Sequence, residues 1–144
     1  MVSSLPMSAL NLASLVAWVA EADGPRGRAV ALALSSRGAR VLVTGKSERA
    51  IAECVGEIAH AGGKARHFVS DAASEAGVRA CVDAAVARFG AVHVAVIAGA
   101  TDAMISAAWT LERPPLRIVN LPSALDETAA VSAVLAEVAP LAAN

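Results

Sequence analysis

The 144-residue chain contains no tyrosine, and aromatic residues make up only 3% of it. No phenolic hydroxyl is therefore available anywhere as a proton donor. Lysine is also scarce, and none follows Lys64. The formal net charge of −1 gives no push toward nucleic acid or an anionic membrane. The only cysteines, Cys54 and Cys81, have no second thiol at metal-ligand spacing, which predicts buried free thiols in a reducing compartment. His60, His67 and His93 are scattered, which predicts structural histidines and no metal site. No GxSxG nucleophile motif occurs. The longest apolar approach to a membrane span, residues 8–20, is too short to cross a bilayer and has no basic residues ahead of it. It is expected to lead into a buried first strand of a cytoplasmic protein.

What remains is rich in small and branched apolar residues, 56% hydrophobic in all, and long enough for one domain over residues 1–144. From Gly27 to Gly99 the pattern alternates between helix and strand. Leu15 to Ala20 predicts a central strand, and Glu21 to Gly27 (EADGPRG) a loop. Arg28 to Arg37 predicts a helix that Gly38 ends in a left-handed cap, followed by the strand Arg40 to Thr44. Ser47 is placed to cap a helix whose Ile51, Val55 and Ile58 share one stripe, and Gly62 and Gly63 stop it. Ala65 to Ser70 predicts the third strand. Ser74 then opens a helix with Val78, Cys81, Val82, Ala85, Val86 and Phe89 at helical spacing, closed by Gly90. Ala91 to Ile97 reads as a strand buried on both faces. Later residues predict a short helix over Thr101 to Leu111, a break at Pro114 and Pro115, a fifth strand over Leu116 to Leu121, and a helix from Asp126 to Val138 ended by Pro140. This alternation builds a parallel sheet covered by helices.

The stretch GRAVALALSSRGARVLVTGKSERAIAECVGEIAHAGGKARHFVSDAASEAGVRACVDAAVARFGAVHV, Gly27 to Val94, resembles the cofactor-binding half of the short-chain dehydrogenase/reductase family. The resemblance implies a truncated, degenerate member: a Rossmann-like three-layer α/β/α domain with sheet order 3-2-1-4-5 and ligand outside the carboxyl ends of the strands. The family's first turn, TGxxxGxG, falls on Ala20 to Gly27. Gly27 matches its last glycine, while Glu21 and Pro25 stand at the other two. Gly24 and Arg26 are placed to compensate in part at a phosphate. Gly45 ends the second strand without the acidic residue of NAD-selective relatives, and Lys46 follows, so the resemblance implies NADP as the cofactor. Asp71 matches the residue that contacts adenine, or else braces the turn leading to Ser74. The family's NNAG is Ile97-Ala98-Gly99-Ala100 here, which leaves Gly99 for close backbone approach. Arg26, Arg28, Arg37 and Arg40 surround the first turn as a basic rim or as ordinary solvated surface.

The catalytic pattern is incomplete. RIVNLPSAL resembles the fifth strand and its serine motif, which puts Ser123 at the catalytic serine and the missing tyrosine and lysine near Ala136 and Pro140. In a second alignment VNLPSALDETAA resembles the helix after the fourth strand, with Asn120 at that helix's asparagine. The Pro114-Pro115 break and Pro122 favour the strand. Either way the tyrosine–lysine pair is absent. The expectation is a non-catalytic module that binds a partner or weakly binds a nucleotide, as a homo-oligomer or beside a paralogous subunit, with neither nucleic acid nor membrane. The alternative is an NADP-dependent oxidoreductase of carbonyl or alcohol substrates completed by a partner chain. A third reading is a folded remnant without selected activity.

Overall fold

Alternate residues along the strands point to opposite faces of a sheet, and here both faces are apolar. The computed structural model describes residues 11–70, 75–98, 117–121 and 126–142. The described elements are β1 (Val16–Val19), α1 (Pro25–Ser36), β2 (Arg40–Gly45), α2 (Glu48–His60), β3 (Lys64–Val69), α3 (Glu75–Phe89), β4 (Val94–Ala98), β5 (Arg117–Leu121) and α4 (Glu127–Ala142). All strand pairs are parallel, in the order β3-β2-β1-β4-β5. The expected three-layer α/β/α order is thus found.

Ala17, Val19, Val41, Val43, Val94, Val96, Val119 and Leu121 face one layer, where Val30 and Leu34 of α1, Ile51 and Ile58 of α2, and Val134 and Val138 of α4 meet them. Trp18, Leu42, Ala95 and Ile97 face the other, against Val78, Cys81, Val82 and Ala85 of α3. Fully burying a branched side chain such as Ile51 or Ile58 stabilises the fold by about 1.5–3 kcal/mol. The edge strand β3 carries Lys64 and Arg66 on exposed positions, which discourages pairing with another chain.

Local signals explain most boundaries. Ser47 caps α2 by accepting a hydrogen bond from the Ala50 amide at 3.3 Å. Gly38 and Gly90 take φ of 102° and 86° at the ends of α1 and α3. Three boundaries differ from expectation by more than one residue. Helix α1 begins at Pro25 rather than Arg28, because a proline at the first helical position needs no intrahelical donor and has its φ set already. Helix α4 runs through Pro140 to Ala142. The carbonyl that loses its donor there belongs to Ala136, whose exposed position leaves it to water. Strand β4 starts at Val94, because His93 is engaged at the edge of β1: its amide donates to the Val16 carbonyl and its Nδ1 accepts from the Val16 amide.

The fifth strand settles the two alignments. Residues 117–121 pair with β4 from Val94↔Arg117 to Ala98↔Leu121, and Arg117 Nη1 reaches Glu137 Oε1 of α4 at 3.5 Å. The helix expected over Thr101 to Leu111 and the cap at Ser74 fall outside the described residues.

Candidate functional site

Strand β1 lies between β2 and β4, and the chain leaves β1 toward one side and β4 toward the other. The carboxyl ends of these two strands therefore part, and a crevice opens there. Its mouth holds a cavity of about 190 Å³, bounded by Ala20 and Glu21 after β1, Gly24, Arg26 and Gly27 at the start of α1, Val96 of β4 and Leu121 of β5. Two larger grooves, of about 560 and 520 Å³, lie between α1 and α4 and between α1 and α2. They are open troughs on the helical layer, and no strand residue lines either of them. The mouth is where helix dipole and strand ends converge, so it is the stronger candidate.

The turn after β1 is fixed on both sides. The Ala20 amide donates to the Val96 carbonyl and the Ala22 amide to the Thr44 carbonyl, both at 2.9 Å. Glu21 adopts φ of 55°, a left-handed conformation that residues with a side chain rarely take. Its carbonyl accepts from the Gly24 amide at 3.0 Å. That carbonyl also explains Gly27: a Cβ there would stand 2.3 Å from Glu21 O and 2.9 Å from Ala22 Cα. Only a glycine lets α1 press this close to the turn.

Arg28 is the first residue to donate into the ladder of α1, to the Gly24 carbonyl at 3.0 Å. Of the helix's leading amides, the Gly24 amide is used by Glu21 and Pro25 has none, which leaves the Gly27 amide as a donor of the first turn. A helix N-terminus with such an amide attracts an anion. Exposed Glu21 opposes that attraction.

The second half of the site joins the first turn to β2. The Asp23 carboxylate reaches across, and its Oδ2 accepts from the amides of Lys46 at 3.0 Å and Ser47 at 3.2 Å. Gly45 makes room for it: a Cβ on Gly45 would lie 2.6–2.9 Å from the Asp23 carboxyl group. Beneath the turn, Trp18 Nε1 donates to Thr44 Oγ1 at 2.8 Å, and both residues are buried.

Gly24, Arg26 and Gly27 line the cavity, and Lys46 lies on the neighbouring β2–α2 turn, its amide donating to Asp23. Asp71, Gly99 and Ser123 lie outside the described residues. The four arginines form no common rim. Arg28 pairs with Glu57 of α2, Arg37 Nη1 holds the Ala33 carbonyl near the end of α1, and Arg40 opens β2 at the opposite end of the sheet. Sequence reasoning missed Asp23 and the backbone state of Glu21. The available signal for Asp23 was an acidic residue two positions ahead of a helix-starting proline, opposite a strand ending in glycine. Cys54 and Cys81 are free and buried, as expected, and no group of three metal-ligating side chains occurs among the described residues. No helix of the described residues is long and apolar enough to cross a membrane.

Comparison with known proteins agrees with this geometry. The family model for short chain dehydrogenases matches residues 16–135. A solved short-chain type dehydrogenase/reductase from Mycobacterium marinum is 28% identical with a TM-score of 0.60, over 67% of this chain and 40% of its own. A hydroxysteroid dehydrogenase from Escherichia coli is 27% identical with a TM-score of 0.61, over 67% and 41%. The citronellol catabolism dehydrogenase of Pseudomonas aeruginosa is 26% identical with a TM-score of 0.57, over 62% and 37%. This chain therefore spans about two fifths of the length of those solved proteins. No curated protein sequence matches it. Winding, strand order, the glycine pressed against the first turn and the matched span agree, and the chain belongs to the short-chain dehydrogenase/reductase family.

Proposed function

We propose that this chain is a nicotinamide-nucleotide-binding module that carries no proton relay of its own. The observation that supports it most is the mouth at the strand ends. There Glu21 holds a left-handed turn and Gly27 packs on it, so that the start of α1 faces the crevice. Such a turn costs about 1–2 kcal/mol when the residue is not glycine, and a plain connection between strand and helix has no need of it.

The residues fit the two halves of a dinucleotide unequally. Asp23, Gly45 and Lys46 offer a polar shelf beside β2 for an adenosine. The start of α1 at Gly27 is the place for a pyrophosphate, with Pro25 and Glu21 weakening that contact. A bound nicotinamide nucleotide would supply hydride. Transfer to a carbonyl also needs a proton donor and a lysine to tune it, and the sequence has no tyrosine and no lysine after Lys64. Weak binding without turnover is the outcome this donor set supports.

A second reading is an oxidoreductase completed by a partner, as a homo-oligomer or with a paralogous subunit. It is favoured by β5, which among the described residues pairs only with β4 and leaves its other edge open.

Calorimetric titration with NAD and NADP, oxidised and reduced, tests the nucleotide reading. Trp18, buried in β1, serves as the fluorescent reporter. Binding in the micromolar to millimolar range with no turnover of ketones or aldehydes is expected. Silence at millimolar nucleotide refutes the reading, and turnover by the isolated chain refutes the missing relay. Light scattering during size exclusion tests the partner reading.

A further inference from the structure

We propose that Asp23 decides which adenosine the crevice accepts, selecting a ribose with free 2′ and 3′ hydroxyls over one carrying a 2′-phosphate. The inference rests on the nucleotide reading above and reverses the preference for NADP implied by Gly45 and Lys46.

In open parallel sheets that bind dinucleotides, a carboxylate at the end of the second strand hydrogen-bonds the ribose hydroxyls, and a basic residue there takes a 2′-phosphate. By sequence position the carboxylate is missing, since β2 ends on glycine. By spatial position it is present. The atoms of the Asp23 carboxyl group lie 2.6–2.9 Å from the point where a Cβ of residue 45 would stand. The acid is delivered from the turn after β1 and fills the volume that the glycine vacates.

Its orientation suits the same task. Oδ2 is held by two amides, those of Lys46 and Ser47, so the carboxylate cannot swing freely. Oδ1 has no partner among the described residues, and Asp23 is exposed. One oxygen is thus anchored and the other is offered to solvent beside the turn after β1. A diol can donate to that oxygen. A 2′-phosphate would bring two negative charges against it, and would find two amides of the β2–α2 turn already satisfied by Oδ2. Lys46 follows Gly45 directly, but its backbone amide is bonded to the same carboxylate, so a 2′-phosphate drawn to its ammonium would also meet the Asp23 charge.

The experiment uses the full chain and probes that contain only the adenosine half, 5′-AMP and 2′,5′-ADP, so that the pyrophosphate contacts play no part. The wild type is expected to bind 5′-AMP at least about tenfold more tightly, the scale set by one like-charge contact at hydrogen-bond range in water. Asp23→Ser is expected to lower that ratio about tenfold, and Asp23→Asn to lower it while preserving shape. A carboxylate restored from the strand, in Asp23→Ser combined with Gly45→Asp, is expected to recover the preference. Far-UV circular dichroism and melting temperature show which variants fold. Should Asp23→Ser not fold, Asp23→Asn carries the test. A wild type that prefers 2′,5′-ADP, or a ratio unmoved in a folded Asp23 variant, overturns the inference and leaves the nucleotide reading standing. If neither probe binds at millimolar concentration, the nucleotide reading itself fails and the inference falls with it.

Discussion

Glu21 is the residue at which sequence and backbone disagree most. Its φ of 55° belongs to a glycine-like turn, yet it bears a side chain. The turn persists because three hydrogen bonds around it, from Ala20, Ala22 and Gly24, leave the backbone no alternative. Glu21→Gly should therefore stabilise the chain. Relief of about 1–2 kcal/mol of strain, less the extra freedom that glycine gains in the unfolded state, predicts a net gain of up to about 1 kcal/mol. Urea denaturation of the variant measures it, and a loss of stability would show that the Glu21 side chain makes a compensating contact. At the same scale, the glycine at position 27 was legible from motif matching, but its reason was not. A one-letter code carries no record of a carbonyl 2.3 Å from an imagined Cβ.

Among the elements, helices and strands were legible wherever apolar spacing was regular, as along α2 and α3. Their ends were legible where a capping residue did chemical work, as Ser47 does for α2. Pro140 shows the limit. Proline interrupts a helix through one lost amide and one ring clash, but near a free end only one ladder bond is at stake and water can take its place. Helix α4 continues because Val134 and Val138 already anchor it on the sheet. Pro140→Ala should restore the missing bond and stabilise the chain, by at most about 3 kcal/mol. Thermal melting checks this, and a destabilised variant would mean that the proline ring packs in a way its exposed position does not suggest. The fifth strand was the other undecided element. Its five-residue pairing with β4 is a contact between distant parts of the chain, and local pattern alone left it between strand and helix.

The whole molecule has two apolar layers, one on each face of the sheet, and each contains one free cysteine. Cys54 lies with α1, α2 and α4, and Cys81 with α3. Burial pushes the Cys54 thiol up from 9.0 to about 11, and burial raises Cys81 as well, against hydrogen bonds from Ser70 and Thr44 that lower it. Between about pH 9 and pH 11 the unfolded chain thus releases protons that the folded chain retains. The stability contributed by the protonated thiols is complete below that window and is lost as pH rises through it. The melting temperature should fall across this range, and the fall should be shallower in Cys54→Ala. An equal slope in both proteins would mean that the folded thiol already ionises freely. The two layers enclose one sheet, so a probe on either face should report the same transition.

By itself the sequence determined the class of fold, because the period of its apolar residues dictates which segments can bury one face or two. It also determined that these 144 residues hold no tyrosine and no lysine after Lys64, because composition is not altered by folding. Only the tertiary structure decided what stands at the crevice. It brought the Asp23 carboxylate from one turn into the empty volume beside Gly45 on another strand. Such a meeting depends on how far two loops project from adjacent strand ends, a distance in space that spacing along the chain does not encode.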